Sequence, residues 1–246
     1  MSSLLYPPLD SMLESGRILR EALSLAERTI KPGISTSNVN EVVHEAIINQ
    51  GGSPAFLGYN GFPACCCISV NEQVVHCIPS DYLLKEGDII SVDCGVIKDA
   101  AHTDACRTFP VGSVSTRVFR LLQLGLSSLD AGIASCKAGN KIGDISYSIQ
   151  KTAEAEPGFH VSREFVGHGI GYDLHQQPWI HNYGKRNSGQ EIKEGMYLAI
   201  EPIVFDGNWE TKALDRWNIV SSDGSLSVHF EDTVYIGKEG CLVLTR

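Results

Sequence analysis

The chain has 246 residues, 43% hydrophobic and 20% charged, and carries a net charge of −9 at pH 7. This composition excludes disordered and fibrous classes and suits one large domain or two small ones. The acidic balance argues against nucleic acid as the main partner, because phosphate binding needs clustered Lys and Arg. No apolar run approaches the roughly 20 residues of a membrane helix. The opening MSSLLYPPLDSM has neither a basic stretch nor a sustained apolar segment, so no signal peptide is expected. Eight cysteines are present, none with CxxC spacing and three of them consecutive at 65–67. They are expected to be reduced thiols in a cytoplasmic protein, mostly serving as small apolar fillers.

The first helix is expected over 10–31, where Leu19, Ala22, Leu23, Ala26 and Ile30 form one apolar stripe ending at Lys31-Pro32-Gly33. Ser37 or Asn38 is expected to cap a second helix running to Gly51-Gly52. Strand-like runs follow: CISVN at 67–71, IISVDCGVI at 89–97 and HTDACRTF at 102–109. A helical stretch from about 115 to 136, a break at Gly139 and a helix capped near Asp144 begin a second round. It closes with MYLAIEPIVF at 196–205 and SVHFEDTVYI at 227–236. Helix, helix, then strands, done twice, predicts an α+β architecture: a curved, mostly antiparallel sheet covered by two pairs of helices.

A faint duplication supports the same division. KPGISTSNVN at 31–40 resembles KAGNKIGDIS at 137–146, an offset of 106 residues. KEGDIISVD at 85–93 resembles KEGMYLAIE at 193–201, an offset of 108. The period exceeds that of solenoid repeats. It predicts two related halves, about 10–110 and 115–237, within a single domain spanning 1–246.

The duplicated strand ends in a carboxylate in both halves, Asp93 and Glu201. Such a residue ordinarily marks a strand leaving the core; its recurrence at matching positions points instead to a shared task. Asp104 lies on the next run. A hairpin loop at Lys98-Asp99 places it directly opposite Asp93, a loop at Asp99-Ala100 makes the two diagonal neighbours on one face, and a three-residue loop would separate them. Like charges so placed repel, and a cation between them removes the objection. GHGIG at 167–171 carries His168, with His175 further on; its glycines let other backbone approach closely. A histidine in that setting reads either as structural or as a ligand. In SVHFEDTVYI, alternation puts His229, Glu231 and Thr233 on one face, which reads either as a solvated face or as part of a site. Asp93, Asp104, His168, Glu201 and Glu231 together offer one imidazole and four carboxylates. Four negative charges match two divalent cations, and oxygen-rich ligation suits Mn(II), Fe(II), Co(II) or Zn(II).

The order Asp, eleven residues on Asp, then GHGIG, IEP and FEDT resembles the metallopeptidases of the "pita-bread" fold. Within them, GYNGFP at 58–63 and CISVNEQVVHCIP at 67–79 resemble the type I methionine aminopeptidases. The resemblance implies removal of the N-terminal methionine from peptides and nascent chains whose second residue is small. It implies that Asp93 binds one metal, that Asp104 and Glu231 bridge two, and that His168 and Glu201 complete the second site, with Glu201 also the general base. It implies that His175 contacts the scissile carbonyl and His76 the leaving side. The methionine pocket would be lined by Phe56, Tyr59, Phe62, Cys67, Leu174 and Trp217, with Phe56 at its entrance and Leu174 at its floor. Four residues depart from the common family pattern: Phe56, Cys77, Leu174 and Asp232. The ED pair at 231–232 is also seen in the related prolidase branch. The alternative enzyme is an X-Pro dipeptidase or aminopeptidase, although CISVNE favours the methionine branch. A non-catalytic peptide- or ribosome-binding member is the alternative outside enzymes. The family implies a monomer with no membrane or DNA partner. Ribosome contact would have little basic surface to use, since 207–223 holds only Lys212 and Arg216.

Overall fold

The computed structural model describes residues 6–246, so the start of the opening segment (1–5) lies outside the described residues. Four long helices form: α1 (Leu9–Thr29), α2 (Thr36–Asn49), α3 (Thr116–Ala134) and α4 (Ile142–Ala153). Two of the expected caps shift. Ser35, not Ser37 or Asn38, caps α2: its Oγ accepts the Asn38 N–H at 3.1 Å and donates to Asn38 Oδ1 at 2.8 Å. Asn38 is therefore the third helical residue, where the cap's bond must land. Asp144 likewise sits inside the first turn of α4, its Oδ2 accepting the Lys141 N–H at 2.8 Å.

The strands that matter here are β1 (Cys66–Val70), β2 (Ile89–Lys98), β3 (Ala101–Pro110), β4 (Val166–Gly169), β5 (Gln176–His181), β6 (Tyr197–Ile200), β7 (Ile203–Phe205), β8 (Ser227–His229) and β9 (Glu231–Ile236). A nine-stranded sheet runs in the order Ser53–Pro54, β2, β3, β9, β6, β4, β5, with β1 also on β2 and Cys241–Val243 on β9. Every pairing in it is antiparallel. Two runs read as single strands are each broken. MYLAIEPIVF splits into β6 and β7 around Glu201-Pro202, and SVHFEDTVYI into β8 and β9 at Phe230. Pro202 has no N–H to give a ladder. Its carbonyl instead accepts the Phe230 N–H at 3.2 Å. Register continues across the gap, from Ile200 opposite Asp232 to Ile203 opposite His229, which sets Glu201 across from Glu231.

The helices cover one face of the sheet. From α1 and α2, Ile18, Leu19, Val39 and Val43 pack on Ile90, Val92, Cys94 and Val96. From α3 and α4, Leu121, Leu129, Ile145 and Ile149 pack on Leu198, Ile200, Val234 and Ile236. The duplicated segments make equivalent bonds. Gly33 N–H donates to Leu84 O at 2.7 Å and Leu84 N–H to Ile34 O at 2.9 Å. Gly139 N–H donates to Ile192 O at 2.9 Å and Ile192 N–H to Asn140 O at 2.8 Å. All eight cysteines are free, and seven are buried.

The inner and outer faces of α3 should differ sharply in tolerance. Leu121 is 0% exposed and Phe119 55%. Leu121→Ala should cost about 2–5 kcal/mol, and Phe119→Ala no more than about 0.5 kcal/mol. Urea unfolding midpoints at unchanged m-value measure both; equal losses would contradict this packing.

Candidate metal centre

Backbone register brings the candidate ligands together. Lys98 pairs with Ala101, so the β2–β3 loop is Asp99-Ala100, both with positive φ (49° and 63°) as a tight hairpin turn requires. Of the registers left open by the sequence, this is the diagonal one. Gly95 opposes Asp104 and Asp93 opposes Cys106, while Glu231 also opposes Cys106. Directly opposed residues share a face, so Asp93, Cys106 and Glu231 form a row across three strands with Asp104 beside it. Thr233 Oγ1 pins Asp104 by accepting its N–H at 2.9 Å and donating to its carbonyl at 2.8 Å. His168 pairs with Ala199, two residues before Glu201 and on the same face. Its flanking glycines answer to crowding. A Cβ at Gly167 would lie 2.5 Å from Ala199 O, and one at Gly169 would lie 2.3 Å from Gln177 O.

The five side chains converge on the face away from the helices. Possible ligand atoms of Asp93, Asp104 and Glu231 lie within 4.8 Å of one another, as do those of His168, Glu201 and Glu231. Glu231 thus belongs to both groups. His168 Nε2 stands 3.6 Å from Glu201 Oε1 and 4.0 Å from Asp104 Oδ2. The face is interior: Glu231 is 2% exposed and Thr233 0%, which excludes the solvated reading. Burial drives the titration of every member. It raises Asp104 to about 7. It raises Asp93, with Asp104 adding to the effect, and Glu201, with Asp93 and Asp104 adding. Glu231 rises through burial and then Asp104, Glu201, Asp93 and Asp232. Burial and His175 push His168 down to about 3. His229 falls to about 3 through burial and His76.

This donor set fits divalent cations. Asp93 Oδ1, Asp104 Oδ1 and Glu231 Oε1 are buried without any hydrogen-bond partner. Buried carboxylate oxygens need protons, donors or cations. A neutral imidazole and oxygen-rich neighbours suit borderline-to-hard metals. His168 Nδ1 lies 3.0 Å from Gly169 O, an acceptor only, so Nδ1 holds the proton and Nε2 offers its lone pair to the centre.

Beside the carboxylates opens a cavity of about 340 Å³, lined by all six expected pocket residues: Phe56, Tyr59, Phe62, Cys67, Leu174 and Trp217. Phe62 and Trp217 meet edge to face at 5.2 Å. Cys67 opposes Asp93 across the β1–β2 ladder, and burial pushes its thiol up so that it stays neutral. Phe56, expected at the entrance, is a buried wall residue (8% exposed). Its ring needs Gly95, where a Cβ would stand 3.0 Å from Phe56 Cε1. His76 and His175 line the cavity with part of each ring open to solvent, and the protein packed around them lowers the titration of both, of His175 to about 4. Tyr59 OH lies 2.9 Å from His175 Nδ1. Of the four departures, only Phe56 and Leu174 reach the cavity. Cys77 is buried and donates to Val75 O at 3.5 Å. Asp232 points to the other side of its strand, where Arg107 Nη2 (2.6 Å) and Arg246 Nε (2.5 Å) neutralise it. Sequence reasoning missed Asn60, Val75, Glu164, Phe165, Val166 and His229 as lining residues. Only His229 left a signal, by sharing the face of Glu231.

The profile of metallopeptidase family M24 matches residues 10–238. The chain belongs to this family. A methionine aminopeptidase of Clostridium perfringens is 44% identical over 238 residues, covering 96% of this chain and 95% of the relative. The crystal structure of methionine aminopeptidase from Thermotoga maritima matches with a TM-score of 0.95 at 39% identity, over 97% of this chain and 96% of that one. Prolidase from Pyrococcus furiosus, at 21% identity and a TM-score of 0.78, shares the fold alone and is covered to 63% of its length. This M24 member therefore has the pita-bread fold and is a metal-dependent peptidase.

As an M24 centre it should release protons when it takes up metal. At pH 6 the Asp104 carboxyl, titrating at about 7, is mostly protonated, and a cation must displace that proton. Mn(II) titrations at pH 6 in buffers of different ionisation enthalpy should report about one proton released or more, and less at pH 8. Saturating Mn(II), at roughly 100 times Kd, should also stabilise the fold by about 2.7 kcal/mol. Heats independent of buffer, or an unchanged melting curve, would contradict this account.

Proposed function

We propose that the chain hydrolyses N-terminal methionine from peptides and nascent proteins whose second residue is small. The observation that carries this reading is the juxtaposition of the five-residue centre with an apolar cavity containing aromatic rings and a neutral thiol. An unbranched thioether fits such a slot and gains from sulfur–aromatic contact, whereas β-branched side chains are too stiff to bend into it. We assign residues 1–246 to one catalytic domain of two related halves, acting as a monomer in the cytoplasm with at most transient ribosome contact.

In this reading Asp93, Asp104, His168, Glu201 and Glu231 would hold two divalent cations. Bound there, the cations supply Lewis acidity and a lowered pKa for water. The remaining chemistry belongs to the chain's own side chains. Glu201 accepts the proton of the attacking water and returns it to the leaving amine. Tyr59 OH lies 2.9 Å from His175 Nδ1, and in the tautomer in which Tyr59 donates to Nδ1 the His175 Nε2–H is free to donate to the developing oxyanion. His76, held at φ 59° between β1 and the rim, presents its imidazole to the leaving side. Phe56, Tyr59, Phe62, Cys67, Leu174 and Trp217 enclose the methionine side chain and exclude water.

Peptide competition tests the substrate. Met-Ala-Ser should be cleaved with kcat/KM roughly 10- to 200-fold above Leu-Ala-Ser and Val-Ala-Ser. Equal rates would defeat the methionine reading. Preference for Ala-Pro would establish the proline-directed alternative. No cleavage by metal-loaded protein would leave the binding module.

The role of His175 predicts a specific kinetic signature. His175→Ala should lower kcat about 10²–10³-fold, as for loss of one oxyanion donor, with KM little changed. A change confined to KM would assign His175 to binding instead.

A further inference from the structure

One buried polar side chain faces the metal centre without a role in the scheme above. His229 is 3% exposed and lines the cavity at the end of β8. Its Nε2 lies 3.4 Å from Glu201 Oε2 and 4.0 Å from Glu231 Oε2, and it has no hydrogen-bond partner. A buried polar atom left in that condition calls for a physical reason. The residue is held firmly. Thr108 Oγ1 accepts the His229 N–H at 2.9 Å and donates to the His229 carbonyl at 2.8 Å. Ile203, two residues beyond Glu201, pairs with His229 across the β7–β8 ladder. Backbone placement therefore fixes His229 relative to Glu201 from both sides of the Pro202 break.

Glu201 stands between two imidazoles of opposite polarity. His168 gives its Nδ1 proton to Gly169 O, so its Nε2 offers a lone pair toward Glu201 Oε1. With cations bound, the Glu201 and Glu231 carboxylates near His229 Nε2 are ionised and can only accept, so the proton of its neutral ring belongs on Nε2.

We propose that His229 is a positioning residue for Glu201: its Nε2–H donates to Glu201 Oε2 and keeps Oε1 turned toward His168. The separation need close by only a few tenths of an ångström to reach an ordinary N–H···O bond. The bond decides which oxygen of Glu201 faces the cations and limits rotation of the carboxylate during proton transfer. Outer partners of metal-binding carboxylates act in this way. The inference rests on Glu201 as a metal-binding general base.

The test compares His229→Gln, His229→Asn and His229→Leu, with Glu201→Gln beside them. Glutamine places an amide N–H near the Nε2 position; asparagine has the same polarity but falls short. Metal-depleted protein is titrated with Mn(II) by calorimetry, its fold is checked by melting without metal, and Met-Ala-Ser hydrolysis is followed after reloading. Asn and Leu should weaken Mn(II) binding about 10- to 100-fold and lower kcat with little change in KM, while Gln restores most of both. If Leu does not fold, the contrast of Gln with Asn carries the test. If Asn binds Mn(II) and turns over like the parent while Glu201→Gln is impaired, the positioning role is overturned and the role of Glu201 stands. If Gln falls as far as Asn, His229 acts through packing alone and the proposal is equally overturned. If Glu201→Gln keeps both Mn(II) affinity and turnover, the Glu201 assignment itself fails.

Discussion

Four carboxylates gathered on the inner face of one sheet are the constraint on which the rest of this molecule depends. Burial holds each above its ordinary titration range, and nearby carboxylates raise Asp93, Glu201 and Glu231 further. Such a cluster resists folding unless protons or cations neutralise it. The surrounding architecture is arranged to bear that cost. Both helix pairs pack on the opposite face, while on the inner face Phe56, Phe62 and Leu174 form a smaller apolar cluster beside the centre. The polar face is left free to serve the centre, and threonine hydroxyls pin its backbone at Asp104 and His229.

Interruptions of regular structure do as much as the regular elements. Pro202 ends a ladder that would otherwise run through Glu201, and the gap leaves Glu201 and Glu231 facing each other without strand pairing between them. Gly167 and Gly169 let neighbouring backbones close in on His168, and Gly95 makes room for the Phe56 ring. A single added methyl at any of these positions would collide with backbone or ring atoms. The site is thus built from places where the sheet gives up pairing or bulk. Asp232 shows the converse. One residue from Glu231, strand alternation carries it to the other side, where two arginines neutralise it. Its charge adds little to the centre for that reason.

Much of this was legible in the sequence. The helix–helix–strand pattern repeated at offsets of 106 and 108 residues, and the same offsets recur in the hydrogen bonds of Gly33 and Gly139. The five candidate ligands could be named because carboxylates closing apolar strands are unusual and their spacing resembles that of one family. Local chemistry also marked the helix ends, to within a residue or three, because caps depend on neighbours along the chain.

What the sequence by itself determined, then, is what depends on periodicity and residue type: α+β layers, two halves, a divalent metal set and an apolar pocket. Only the tertiary structure decided the rest. The β2–β3 loop could have been one residue earlier, and only pairing of Lys98 with Ala101 made Asp93 and Asp104 diagonal neighbours. The polar face of SVHFEDTVYI became interior because Asp93, Asp104, His168 and Glu201, on neighbouring strands, gather around Glu231. His229 became part of the site because Glu201, 28 residues away, stands across the broken ladder. Phe56 moved from rim to wall because Gly95 left a space for its ring. These outcomes turn on which strands lie side by side and in what register. Contacts between residues far apart in the chain leave no periodicity for local patterns to report.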